Sequence, residues 1–268
     1  MKGYVFRNEN CLETCKYMIE NKIKVDCILT SPPYNISKSV NSTKAFNEHQ
    51  NKYKYYNDNK KIDEYIENML ELFYYFRKVL KRGGCMLLNY SYANTDSGRI
   101  MTPTKLIELI FLATERLNLR VADIITWKKG NALPNNASPN KCTRICEYVF
   151  VLVRSSDYDK FKSNKKISKI DTKGNKKYKS DMYNFIEAKN NDGANPYNKA
   201  TFSTEFVQKL LQMYVRNDSI VYDPFGGTGT TAIGCYKENR NIRCICSELD
   251  PEQVKYSKDR LKKVVRGE

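Results

Sequence analysis

The chain has 268 residues and carries 46 Lys and Arg against 30 Asp and Glu, a net charge of +16. That length suits one α/β domain with room for a small second module, without disulfide or metal staples. A composition of 41% hydrophobic and 12% aromatic residues lies far from disordered chains, and the charge makes a nucleic acid the first partner to consider. No stretch comes near the roughly 18 consecutive apolar residues of a membrane span, and the first residues lead into charged sequence rather than an apolar signal core, so a cytoplasmic protein with no membrane partner is expected. Nine cysteines form no pair of CxxC knuckles and His49 is the only histidine. No metal site is therefore expected, and the thiols read as reduced core residues.

Strands and helices alternate, as in a mostly parallel sheet covered on both faces. Val25–Thr30 (VDCILT) reads as a buried strand. From Ile62 to Leu80, Ile62, Ile66, Leu70, Phe73, Phe76 and Leu80 fall on one helical stripe, and Lys81-Arg82-Gly83-Gly84 supplies positive charge and a flexible stop. Cys85–Tyr90 is the next strand, and Thr102-Pro103 opens a helix to Leu117 with proline in its first turn. Leu119–Trp127 and Tyr148–Arg154 are two further strands. The polar stretch between them, Lys128 to Cys146, is too long for a tight hairpin and marks a functional loop, as does the polar segment Asn35 to Lys61 with His49, Tyr53, Tyr55 and Tyr56.

From Ser155 to Lys199 the composition changes, and Lys160 to Lys179 holds nine lysines with one acid, Asp171. This basic, weakly periodic region reads as an insertion that forms a small lobe. Thr204–Tyr214 is then a helix, Ser219–Asp223 a strand, Thr228–Glu238 a helix and Ile242–Ser247 a strand. Asp250-Pro251 caps a last basic amphipathic helix to Val265. There is no internal repeat.

Two loops carry the chemistry. Asp223-Pro224-Phe225-Gly226-Gly227-Thr228-Gly229-Thr230-Thr231 is a glycine loop at the carboxyl end of a strand, which lets backbone approach a cofactor closely. Glu248 follows the next strand, where such sheets place an acid on ribose hydroxyls. The order G-G-T-G-T-T departs from the dinucleotide fingerprint, and no lysine follows to make a phosphate loop, so ATP and NAD both fit poorly. The second loop, Thr30-Ser31-Pro32-Pro33-Tyr34, has a backbone stiffened by two prolines and an aromatic ring beside it. A rigid acceptor cluster with an aromatic face suits a planar base bearing an amine: Ser31 and the Pro32 carbonyl accept from the amine while Tyr34 stacks. A proline-stiffened turn is the plain alternative.

TSPPY at 30–34 and DPFGGTGTT at 223–231 together resemble the catalytic and cofactor motifs of the amino-type (N4-cytosine/N6-adenine) DNA methyltransferases, in the permuted order of the beta group. The resemblance implies a Rossmann-like class I methyltransferase fold, S-adenosyl-L-methionine as cofactor and double-stranded DNA as substrate, and it leaves open a second copy of the chain and a cognate restriction endonuclease as partners. It implies a catalytic half over 1–154, a target-recognition region over 155–199 and a cofactor-binding half over 200–268. Ser31, Pro32, Pro33 and Tyr34 are the implied catalytic residues. Implied cofactor residues are Asn10 and Cys11 near the adenine, Thr201, Phe202 and Ser203 near the methionine carboxylate, Asp223 at its amine, Phe225, Gly226, Gly227, Thr228, Gly229 and Thr230 in the loop, and Glu248 on the ribose. Relatives often have Gly-Asp-Cys where this chain has Glu9-Asn10-Cys11.

The target amine is a poor nucleophile, so the protein mainly positions it and stabilises its pyramidal form. A C5-cytosine enzyme needs a nucleophilic cysteine, usually in a Pro-Cys pair, and the chain has none. RNA and protein-glutamine methyltransferases with related loops commonly have the cofactor motif first. Ser31 at the head of the catalytic motif leans to cytosine N4, with adenine N6 as the alternative and an inactive DNA-binding subunit of the same fold as the non-enzyme reading.

Overall fold

The computed structural model describes residues 3–35, 55, 60–93, 101–130, 142–193, 195, 197 and 201–268. In chain order its elements are β1 (Tyr4–Asn8), α1 (Cys11–Glu20), β2 (Val25–Thr30), α2 (Ile62–Val79), β3 (Leu80–Tyr90), α3 (Pro103–Leu117), β4 (Leu119–Lys129), β5 (Cys146–Arg154), β6 (Ile167–Ile170), β7 (Lys176–Tyr178), β8 (Phe185–Ala188), α4 (Thr204–Tyr214), β9 (Ile220–Asp223), α5 (Thr230–Lys237), β10 (Arg243–Glu248) and α6 (Pro251–Arg266). Eight strands form one sheet in the order β1-β10-β9-β2-β3-β5-β4-β8. Pairing is parallel from β1 through β3, antiparallel on both sides of β5, and parallel between β4 and β8. The expected Rossmann-like, mostly parallel sheet is what the chain builds, and β5 alone runs reversed within it.

Alternation along the central strands decides which helices cover which face. Ile28, Met86, Leu88, Phe150 and Leu152 face the layer of α1, α2 and α3. Cys27, Leu29, Cys85, Leu87, Val149 and Val151 face α4, α5 and α6, where Trp127 stacks on Phe206 with ring centroids 4.0 Å apart. Both faces are buried, so these strands read as nearly continuous apolar runs. Seven of the nine cysteines are buried, and none is in a disulfide. Among the described residues no group of His, Cys, Asp and Glu is arranged to hold a metal, and no helix is long and apolar enough to cross a membrane.

The Lys81-Arg82-Gly83-Gly84 stop does something other than end a helix in a loop. Leu80 pairs with Val25 and Cys85 with Cys27, so residues 81–84 bulge opposite Asp26 alone. Gly83 supplies a left-handed φ of +75°, and Lys81 reaches Asp26 at 2.7 Å. α2 thus passes into β3 without a loop. β1, α1 and β8 are elements that the apolar pattern did not announce.

Strand direction gathers the loops. The segments after β1, β10, β9, β2, β3 and β4 all leave from the carboxyl edge of the sheet, and the reversed β5 brings its first residues, Cys146 and Glu147, to that edge. The lysine-rich segment leaves from elsewhere. Its first foot, Asn164, bonds the last turn of α4 through Gln212 O (2.9 Å), Met213 O (2.8 Å) and Val215 O (2.8 Å). Because α4 starts at the carboxyl edge and runs down the sheet, this foot stands at the opposite, amino edge. β6 and β7 then pair only with each other, while β8 joins the main sheet beside β4.

Gly84 is the tightest point of the bulge: a Cβ there would lie 2.7 Å from Asp26 O and 3.1 Å from Lys81 O, both backbone. Gly84→Ala should therefore cost about 1–3 kcal/mol, the usual range for overpacking. A thermal melt with an unchanged midpoint would contradict the bulge.

Candidate active site

At the carboxyl edge a cavity opens between α1, α2 and the glycine loop, walled by Asn10, Cys11, Ser31, Pro33, Thr201, Phe202, Asp223, Phe225, Gly226, Gly227, Thr228, Thr230 and Glu248. Most residues implied for the cofactor thus share one wall system with Ser31 of the catalytic loop. Ser203 and Gly229 stand behind it instead. Ser203 is fully buried, caps α4 by accepting from Phe206 N at 3.2 Å and donates to Lys189 O at 2.7 Å. Gly229 caps α5 with a left-handed φ of +80°, and a Cβ there would meet Ser257 Cβ at 2.9 Å. Asn10 caps α1, its Oδ1 accepting from Leu12 N at 3.0 Å.

The carboxylates are held by specific donors. Asp223 is buried, with Oδ1 accepting from Thr30 Oγ1 (2.7 Å) and Phe225 N (3.1 Å) and Oδ2 from Thr231 Oγ1 (2.5 Å). Burial raises its pKa, and these three donors oppose the rise. Glu248 accepts from Gly227 N and Asp250 N, each at 2.9 Å, so it braces the glycine loop against the start of α6. Burial pushes the Glu248 carboxyl up as well, against the same two backbone donors.

Several polar atoms on the cavity wall are buried without a hydrogen-bond partner: Asn68 Nδ2, Thr228 Oγ1 and Gln253 Oε1. Buried polar groups are normally satisfied, so three such orphans on residues around one cavity are in keeping with a polar ligand there. Five acids, Glu9, Glu71, Asp223, Glu248 and Asp250, line it against one lysine, Lys60. This wall suits a cationic ligand rather than a polyphosphate. Neither Asn68 nor Gln253 stands out in the sequence, since each sits on a helix among ordinary polar positions.

The Ser31–Tyr34 loop is pinned from below. Pro33 O accepts from the buried Tyr65 Oη at 2.6 Å, and Asn35, at a left-handed φ of +51°, exchanges two 2.9 Å hydrogen bonds with the Lys60 backbone. Ser31 Oγ lies 2.5 Å from Tyr34 Oη, and Tyr34 Oη is 2.6 Å from Asn89 Nδ2 and 3.2 Å from Glu147 Oε2. Glu147 also pairs with Lys129. Asn89 and Glu147 escape sequence reasoning because they belong to different strands, while Lys129, inside the polar stretch expected as a functional loop, ends β4 instead. Next to them Tyr92 and Tyr148 stack, centroids 6.1 Å apart, with the Arg144 guanidinium 5.0 Å from the Tyr92 ring centre. On the other side Arg260 joins Asp192 (2.7 Å) to Thr230 Oγ1 (3.0 Å), tying the segment after β8 to the glycine loop. His49, Tyr53, Tyr56, Lys199, Ala200 and residues 131–141 of the polar loop lie outside the described residues.

Residues 25–259 match the model of the N6/N4 DNA methylase family, and the chain belongs to that family. Its members take their methyl group from S-adenosylmethionine. The chain is 24% identical over 297 aligned residues to the type II methyltransferase M.SmaI of Serratia marcescens, covering 95% of this chain and 94% of that protein. Among solved structures it is similar to the M1.HpyAVI–SAM complex, with TM-score 0.65 and 22% identity over 96% of this chain and 98% of the other. It is similar also to the cytosine-N4-specific PvuII DNA methyltransferase, with TM-score 0.64 and 16% identity over 99% and 95%. At such identities the structural likeness carries the fold.

The acid-lined cavity, its orphaned polar atoms and the braced Glu248 fit S-adenosylmethionine, which supplies an activated methyl group when bound. The resemblance implies Glu248 on the ribose, and a carboxylate is a stronger acceptor for hydroxyls when ionised than when protonated. Because burial raises its pKa, affinity should be constant at high pH and fall as the pH drops, beginning above the range of an exposed carboxylate. Glu248→Gln should weaken binding and abolish that fall, and calorimetry showing the same pH profile for both proteins would remove Glu248 from the ribose site.

Proposed function

We propose that the chain methylates cytosine N4 in double-stranded DNA, with S-adenosylmethionine as donor. The observation that carries this reading is the Ser31 hydroxyl at the end of β2, which borders the cofactor cavity and is backed by Tyr34 at 2.5 Å. Ser31 and the Pro32 carbonyl accept the two amine hydrogens, drawing the nitrogen lone pair out of conjugation with the ring. Tyr34 holds the flipped base, with Pro33 fixing the loop. Thr201, Phe202 and the residues of the glycine loop hold the donor on the same wall as Ser31, which brings acceptor and donor together. Likeness to a cytosine-N4-specific enzyme is in keeping with a hydroxyl at this place, and likeness to a type II methyltransferase with a companion restriction endonuclease. DNA as substrate points to a cytoplasmic location.

Nucleoside mass spectrometry of DNA treated with the purified protein tests the product. N4-methylcytosine is expected, and methylated adenine without methylated cytosine would replace the target base while leaving the amine chemistry in place.

Residues 155–199 form the DNA-recognition region of this reading, between a catalytic half over 1–154 and a cofactor half over 200–268. Its only acid between Lys160 and Lys179, Asp171, is spent on the hairpin turn, where it accepts from Lys173 N (2.9 Å) and from Asn175 N (2.8 Å). The surrounding lysines are exposed. Exposed lysines of this kind suit phosphate contacts, which position a duplex. Neutralising Lys169, Lys176 and Lys177 should lower the slope of log affinity against log salt by roughly 0.9 for each phosphate that is no longer neutralised. Equal slopes for variant and parent would place the DNA elsewhere.

A further inference from the structure

At the base of the catalytic loop three strands deliver one residue each: Asn89 from the end of β3, Lys129 from the end of β4 and Glu147 from the start of the reversed β5. Glu147 is 8% exposed and Asn89 2%. Neither belongs to the two motifs, and a buried carboxylate beside a catalytic phenol calls for a role. We propose that Glu147 sets the direction of the hydrogen bonds through Tyr34, so that Ser31 meets the target amine purely as an acceptor. Glu147 is a positioning residue here, acting through Tyr34 and never touching the base, and the inference rests on transfer to an exocyclic amine as argued above.

The available protons fix the direction of each bond. Asn89 Nδ2 lies 2.7 Å from Glu147 Oε2 and 2.6 Å from Tyr34 Oη, so its two hydrogens go one to each. The opposite amide orientation is excluded because it would set Asn89 Oδ1 against the carboxylate. Tyr34 Oη therefore accepts from Asn89 and has one proton of its own. Glu147, a carboxylate paired with Lys129, only accepts, and charge makes it the stronger acceptor. The phenol proton goes to Glu147 Oε2 at 3.2 Å. In the 2.5 Å contact between Tyr34 and Ser31 the donor is then Ser31. With its hydrogen committed to Tyr34, the serine oxygen offers lone pairs alone, as an incoming N–H requires.

Replacing the carboxylate by an amide removes this order. A glutamine at this place is no charged acceptor and no longer holds Asn89 in one orientation, so the phenol proton is no longer committed away from Ser31 and the serine hydrogen is released to face the amine as donor against donor. Glu147→Gln should slow single-turnover methyl transfer about tenfold or more, the scale of a lost hydrogen bond to a charged group, with cofactor affinity unchanged. In a Tyr34→Phe background, where no hydroxyl links the two residues, the same replacement should cost less than about threefold.

A second readout needs no methyl transfer. In protein labelled with 13C at the tyrosine ζ-carbon, the Tyr34 resonance, assigned by its loss in Tyr34→Phe, should move in Glu147→Gln. An equal rate factor in both backgrounds, or an unmoved Tyr34 resonance, would overturn the wiring. A chain that methylated no DNA would overturn the proposed activity instead, and the resonance would still decide the role of Glu147.

Discussion

Asp223 ends β9 in the interior, and donors from both working loops hold its carboxylate: Thr30 immediately before Ser31, and Phe225 N with Thr231 in the glycine loop. The ladder between β2 and β9 covers only Cys27 with Val221 and Ile28 with Tyr222. Beyond that point the two strand ends are joined by the Thr30–Asp223 hydrogen bond. Burying a carboxylate is costly unless its lone pairs are taken, and here the groups that take them are the loops to be aligned. The separation between the Ser31–Tyr34 loop and the glycine loop is therefore set inside the core, where packing tolerates little slack.

Charge is distributed against the overall trend. The chain has a net charge of +16, yet the cavity wall is acidic, and the densest lysines stand on a hairpin anchored at the far edge of the sheet. A uniformly basic surface would attract DNA while repelling a cationic methyl donor. Placing the acidic wall and the lysine-rich hairpin on different parts of the fold keeps the two opposite charge patterns apart. Glu9 shows how local pairing fixes the acidic side, since Arg7 at 2.5 Å holds its pKa down.

Much of this architecture was legible in the sequence because apolar runs and loop chemistry are local signals. VDCILT, the α2 stripe and the Thr102 and Asp250 caps all fall where expected, and both motifs meet at one cavity. Less legible were features decided by contact. β8 is four residues long and recruited by the edge of β4, and Gly83-Gly84 reads equally well as a helix stop or as the bulge it forms. Ser203 and Gly229 sit inside motifs yet hold helix ends, because short polar loops must satisfy their own backbone before they can face a ligand.

The reversed strand shows most clearly why the remainder needed three dimensions. In a wholly parallel sheet every strand contributes only the residues after its last, and the carboxyl edge is built from loops alone. β5 enters from that edge, so Glu147 arrives on regular backbone with Trp127 and Tyr148 fixed beside it by the ladder to β4 and the run of the strand. A side chain held this way is oriented more tightly than one on a loop. In sequence Glu147 is only an acid preceding an apolar run, 113 residues from the tyrosine it meets. Its partners Asn89 and Lys129 are equally plain. What makes the three a unit is strand order and direction, which place β3, β5 and β4 side by side and end them level with the catalytic loop.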